Sequence, residues 1–497
     1  MRSSLRIIAS VLVALQPLLA GPSDRAGQLQ APVERGGFSR LTSYDSLQAF
    51  LADAVRTSGL RSEVIATTKQ GRSVTALQMT PGQDGPNQKP RLKILLFAQQ
   101  HGNEPSGKEA MTLLIARWRE TLAEEFTGLD LRVIPQMNPD GAEMRQRGTS
   151  DSIDLNRSHL LLHSPETAAL HRLFLAWQPE VTLDVHEYGA YSRSWSDSGY
   201  IKRGDVQLGM LTNLNSPAGL RAYQHTFVFP SIARAMASAG YAFNEYIVGS
   251  PQDRIRHSTT EINDGRQSFG ILGTLSFIQE GWKGRTAEES LERRTRSQYT
   301  AIEALLRFCN SHADEIRKLV AAERKGLAGS TGKEFALRME HVHGTGTLEI
   351  PVRLVPSGRD TTMAVGPYHD VVRPTVTTRV PSGYVIPSEQ GAVIELLTRH
   401  GVKSERVQEP RSLRVETIWI DSVGYDVLEE DSITRPWVRT EQSDITLRPG
   451  DVVIPTAQWH GMFLPTALEP VSMWGLTKYE PFASLLRTKR YPISRIP

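Results

Sequence analysis

The sequence predicts an α/β protein: a largely parallel sheet covered on both faces by helices, then a smaller β-rich region. Three observations lead there. Short apolar runs at 92–98 and 181–186 alternate with segments of helical periodicity, as in strand–helix units. The first of these runs is apolar almost throughout, and the alternation of strands with helices means a sheet covered on both faces. Beyond about residue 330, Val, Thr and Ile alternate with polar residues between frequent prolines, a strand-rich pattern.

The elements are expected in this order. Arg2 and Arg6 precede an apolar run at 7–15, and Leu18-Leu19-Ala20 ends on a small residue, so 1–20 reads as a secretory signal peptide. A polar linker follows at 21–40. A small helix is expected at 46–55, with strands around Ile65 and Thr75. A strand at 92–99, a helix at 106–125, a strand at 131–135, a helix at 165–175 and a strand at 181–186 form the centre. The stretch 190–266 is rich in Gly, Ser, Asn and Arg, with one helix at 231–239; such loops commonly build substrate walls. A strand at 273–280 and one long charged helix at 287–323 close this unit, placed at 41–328. Gly, Ser and Lys concentrate at 326–332, so the β-rich accessory domain is placed at 333–497, with strands near 347–352 and 413–418 and a helix at 391–400.

At 497 residues the chain exceeds one ordinary domain, and 39% hydrophobic with 22% charged residues is a globular composition. The formal net charge is +3 and the basic residues are scattered, which leaves a nucleic-acid partner unsupported. No later run approaches the ~20 apolar residues of a membrane helix. Cys309 is the only cysteine, so no intrachain disulfide forms. It lies on a helical apolar pattern and reads as a packing residue.

His101 and Glu104, in Gln99-Gln100-His101-Gly102-Asn103-Glu104, follow the first central strand on a tight turn. Open α/β sheets place their ligands at such strand ends. A neutral imidazole and a carboxylate three residues apart suit a divalent metal. Zinc hydrolases use three protein ligands and leave a fourth position for water. His186, at the end of another strand, supplies the third ligand, while alternation turns Glu187 to the opposite face. The expected cofactor is one Zn2+. Glu280 ends a strand inside an apolar run, where a carboxylate is costly unless it has a task, and it reads as the general base. The cation expected beside the attacked carbonyl is Arg145 or Arg147, between which composition does not choose. Asn156 and Arg157 suit a fork-like clamp on a peptide's terminal carboxylate.

Taken together, His101-x-x-Glu104, Asn138-Pro139-Asp140-Gly141, Asp154-Leu155-Asn156-Arg157, His186 and Glu280 occur in an order that resembles the zinc metallocarboxypeptidase family, carboxypeptidase A-like. The resemblance covers about 41–325. It implies a three-layer α/β/α fold with a mixed, mainly eight-stranded sheet, one catalytic zinc and peptide substrates cut at their carboxyl termini; the signal peptide makes the enzyme secreted or periplasmic. It further implies that His101, Glu104 and His186 are the ligands, Glu280 the base, Arg147 the oxyanion cation, and Asn156 and Arg157 the substrate-carboxylate site. Asp154 would orient His101. The family's substrate-capping tyrosine has no single match here: Tyr241 and Tyr246 are candidates, with His257 nearby. The loop that would set side-chain preference carries no readable charge signature.

Two other readings compete. His-x-x-Glu with Asp-Leu-Asn-Arg also resembles zinc deacylases of N-acyl amino acids, from which Asn-Pro-Asp-Gly and the signal peptide lead away. An inactive peptide-binding protein is disfavoured by the intact ligand set with Glu280. The His341-x-His343 pair is read as structural, having no third ligand.

Overall fold

The structure, a computed structural model, describes residues 29–82, 89–428 and 431–497. The signal peptide expected at 1–20 lies outside the described residues.

Eleven strands precede residue 284: β1 Arg61–Thr67, β2 Ser73–Met79, β3 Leu92–Ala98, β4 Leu129–Ile134, β5 Val181–Gly189, β6 Tyr200–Lys202, β7 Val206–Gly209, β8 Phe243–Glu245, β9 Ile247–Val248, β10 Ile255–His257 and β11 Leu275–Lys283. Eight of them form one sheet in the order β1-β2-β4-β3-β5-β11-β7-β8. Its centre is parallel: β3 pairs in parallel with β4 and β5, and β5 with β11. Antiparallel pairs flank the centre at β1–β2, β2–β4 and β11–β7. The sheet is therefore mixed, and its central strands are buried on both faces, including the polar residues of β5 and β11.

One face is covered by the helices Tyr44–Ser58, Ser106–Arg117 and Leu291–Ser311. The first has a local start and stop: Ser43 Oγ accepts from Ser46 N, and Gly59 takes a left-handed φ of 66°. The other face carries the helix Pro165–Trp177, capped by Ser164, and an aromatic group in which Phe174 stacks on Phe269 at 4.3 Å. Truncating a buried ring of this kind costs ~3–5 kcal/mol.

This second layer does not stop at residue 328. Tyr384, Leu396, Leu464 and Trp474 belong to the same buried cluster as Phe97, Leu170 and Phe269. The strand Leu348–Leu354 pairs with β6, and Tyr368–His369 pairs with β10, so the later chain completes sheets begun in the earlier one. His400 Nε2 lies 2.7 Å from Leu160 O, and Trp474 Nε1 donates to Thr260 Oγ1 at 2.9 Å.

Three local expectations are corrected. The long helix at 287–323 is two helices, Leu291–Ser311 and Ala313–Ala328. Asn310 turns its side chain to Gly128 N and Glu125 O, and His312, at φ −118°, leaves helical geometry. The helix expected through 106–125 opens into a π-helical turn at Trp118–Leu122. Residues expected to be linker form the turn Pro32–Arg35, with Ala31 and Val33 buried in the core.

Candidate active site

The site lies at the carboxyl ends of β3, β5 and β11. After Ala98 the chain turns at Gln99, a non-glycine residue at φ 56°. Its side chain bonds Gly102 O at 2.8 Å, which stabilises that unusual geometry locally. The turn seats against Asn138-Pro139-Asp140-Gly141, the capped start of the short helix Pro139–Glu143: Asn138 Nδ2 donates to Gln100 O at 3.1 Å, and Gly102 N to Arg147 O at 3.2 Å. A Cβ on Gly102 would fall 2.1 Å from the carbonyl carbon of Gly141, so only glycine permits this approach. The Asn-Pro-Asp-Gly segment thus shapes the floor that holds His101 and Glu104 in place.

His101 and His186 turn their Nδ1 atoms to within 3.1 Å of each other, and each is 3.0 Å from a Glu104 carboxylate oxygen. Their other nitrogens face carboxylates, His101 Nε2 3.1 Å from Asp154 Oδ1 and His186 Nε2 2.8 Å from Asp184 Oδ1. With the N–H groups turned outward, three lone-pair donors converge on one point, which is stable only around positive charge. Among the described residues, these are the only three or more His, Cys, Asp or Glu side chains whose donor atoms all lie within 4.8 Å of one another. Two imidazoles and a carboxylate are a donor set that zinc accepts, with carboxylates behind the histidines as metal-bound histidines generally have. The surrounding field agrees. Burial opposes a charge on His186, but Asp184 and Glu104 outweigh it and push its pKa well up. Burial likewise opposes ionisation of Glu104, yet His101 and His186 hold its carboxyl well below the usual range.

Glu280 sits on β11 directly beside His186 on β5, in parallel register. Burial pushes its pKa up to about 7, with His186 pulling downward and Glu104 upward. Glu187, next to His186, points elsewhere as alternation requires: it pairs with buried Arg294 at 2.5 Å and accepts from Ser106 Oγ at 2.6 Å.

The two candidate arginines separate in space. Arg147 donates from Nε to Asp154 Oδ2 at 2.9 Å, and its Nη1 is 3.7 Å from Glu104 Oε1. Arg145 instead pairs with Glu288 at 3.2 Å and is 68% exposed. Asn156 accepts at Oδ1 from Gly265 N (2.8 Å) and Gln100 Nε2 (3.3 Å), which leaves its NH2 for a ligand. Arg157 stands 3.8 Å from Glu261 and remains half exposed. His101, Glu104, Arg147, Asn156, Arg157 and Glu280 line one cavity of about 500 Å3. Tyr246 lines it too, whereas Tyr241 packs under Arg293 and His257 is buried 3.3 Å from Glu245. His343, outside this region, hydrogen-bonds Tyr368 O at 3.0 Å, and Cys309 is buried in the core.

Sequence reasoning missed three contributors. Asp184 shares the face of His186 two residues away, a signal that the period of a strand already contains. Gln100 links Asp184 (2.7 Å) to Asn156, and no spacing rule marks it. Lys202 reaches the cavity from a short strand in the loop-rich stretch.

Comparison with known proteins agrees with this geometry. Residues 49–264 match the zinc carboxypeptidase family, Peptidase_M14. The protein is a zinc metallopeptidase, and its cofactor is Zn2+. Over the matched residues its α/β unit is similar to the carboxypeptidase A-like zinc carboxypeptidases. Carboxypeptidase 2 of Trichophyton rubrum is 23% identical over 519 residues, covering 98% of this chain and 93% of that protein. Carboxypeptidase E of Caenorhabditis elegans is 32% identical over 118 residues, 19% of this chain and 24% of its own. A solved metallo-carboxypeptidase from Pseudomonas aeruginosa, in complex with (2-guanidinoethylmercapto)succinic acid, superposes with a TM-score of 0.42 at 20% identity, covering 55% of this chain and 69% of its own. The matched family segment ends before Glu280, whose place in the site rests on strand register.

Proposed function

We propose that the protein is a secreted or periplasmic metallocarboxypeptidase that removes amino acids from peptide carboxyl termini, with Glu280 as general base. The observation that carries this reading is the register pair of Glu280 and His186, which sets a free, buried carboxyl beside the ligand cluster. His101, Glu104 and His186 would hold zinc, which would supply a Lewis acid to polarise the attacked carbonyl and acidify the attacking water. Glu280 takes the proton of the attacking water on its carboxylate and returns it to the departing amine. A group poised near neutrality serves both transfers. Arg147, held by Asp154, offers its guanidinium to the charge that develops on the carbonyl oxygen.

Asn156 and Arg157 hold the terminal carboxylate of the peptide, one by its NH2 and the other by its guanidinium. Tyr246 closes over the bound residue from the same cavity wall. Residues 41–328 form the catalytic unit and 333–497 an accessory one that braces its walls through β6 and β10. No helix among the described residues is long and apolar enough to cross a membrane. The export route rests on the sequence at 1–20.

The test is hydrolysis by the purified chain of a free peptide, its carboxyl-terminal amide and an N-acyl amino acid. Stepwise loss of residues from the free peptide alone is expected. Cleavage of the N-acyl amino acid alone would make the protein a deacylase.

A further inference from the structure

Lys202 ends β6 and is only 8% exposed, yet it lines the cavity together with Glu280. Its ammonium lies 4.5 Å from the ring centre of Tyr188 and 5.4 Å from that of Trp195. No described carboxylate lies within 4.0 Å of it. The nearby arginines differ: Arg147 is bonded to Asp154, Arg157 stands beside Glu261, and Arg266 pairs with Asp264 at 3.0 Å; Lys283, the other lysine on the cavity, is less buried than Lys202. A desolvated ammonium flanked by aromatic faces, with Glu280 on the same cavity but beyond ion-pair distance, is costly unless an anion meets it. The strand that presents it is fixed, since Val352 of Leu348–Leu354 pairs with Lys202 and Lys202 N donates to Ala190 O at 3.3 Å. This cation is therefore positioned by the fold and left for a ligand.

We propose that Lys202 is the specificity-determining residue of the cavity and selects peptides with an acidic side chain beside the scissile bond. The inference rests on the carboxypeptidase reading above. Burial lowers the pKa of Lys202 to about 8, against the pull of Glu280, so its charge is present at neutral pH. The β-rich region enters the chemistry here, because its strand Leu348–Leu354 holds the strand that carries the selecting charge.

The test uses zinc-loaded full-length protein and peptide pairs that differ only by Glu against Gln, first at the carboxyl-terminal residue and then at the preceding one. A charge-assisted contact predicts a Glu/Gln ratio of kcat/KM of about ten to a hundred at one of these positions. In Lys202→Met the ratio falls to about one, whatever the absolute rate, and in Lys202→Glu it inverts. In Lys283→Met, which alters the other lysine lining the cavity, the ratio persists. A wild-type ratio near one at both positions overturns the proposal without any variant, as does a ratio that survives Lys202→Met. Failure to cleave any peptide would instead remove the carboxypeptidase reading itself.

Discussion

Glu280 and His186 stand side by side on neighbouring parallel strands, in register. Both lie at the same end of the sheet, so the two central strands alone bring an imidazole of the His101–Glu104–His186 cluster and a buried carboxyl together. The activity argued above depends on that pairing.

The pH dependence follows from it. Burial raises Glu280 from an ordinary 4.5 to about 7, and bound zinc, a cation in the same cavity, draws it lower again. The carboxylate is the working form of a base, so activity is lost as pH falls through its pKa. The kcat/KM profile is expected to show an acid limb with a midpoint between those two values. An acid limb that persists in Glu280→Gln would assign it to another group.

Removing Arg157 is expected to act on substrates with a free terminus. Arg157→Ala raises KM for such peptides by about ten- to a hundredfold, the worth of a charge-assisted hydrogen bond. Steady-state kinetics on free peptides read this. An unchanged KM would place the terminal carboxylate elsewhere.

Gly102→Ala tests the floor of the site. The added Cβ meets the backbone of Gly141 at 2.1 Å, and neither backbone is free to yield. The variant is expected to lose ~1–3 kcal/mol of stability, as overpacking does, and to bind zinc more weakly. Denaturant melts and zinc titration measure both effects. A variant of full stability and affinity would show that the turn relaxes without cost.

Chelation of zinc should destabilise the protein, because a ligand that binds only the folded state contributes RT ln(1 + [L]/Kd), ~4 kcal/mol at a thousandfold excess over Kd. The thermal midpoint is expected to fall on chelation in the wild type and to be unresponsive in His186→Ala. Equal responses would separate metal binding from this cluster.

Much of the site was legible in the sequence because its residues sit at strand ends, where short apolar runs mark position well. His101, Glu104, His186 and Glu280, picked out as candidates in this way, are brought to one place, and alternation turned Glu187 to the opposite face, where it meets Arg294. Choices that depend on how a loop folds back were not legible. Residue type alone did not choose between Arg145 and Arg147; the resemblance favoured Arg147, and in space it bonds Asp154 while Arg145 turns to Glu288. Lys202 lies 16 positions beyond His186, and neither its burial nor its aromatic neighbours leave a local pattern. The break at His312 escaped because its cause, the reach of Asn310 to Gly128, is tertiary. The change in composition near residue 330 was visible, but the buried cluster that runs across it was not.

The most direct measurement is kcat/KM for a free peptide in Glu280→Gln, made alongside the zinc content of the same sample. The substitution keeps shape and removes the base. One zinc per chain with a rate lowered by about a hundred- to ten-thousandfold is the predicted result. A fully zinc-loaded variant that cleaves at the wild-type rate would contradict it.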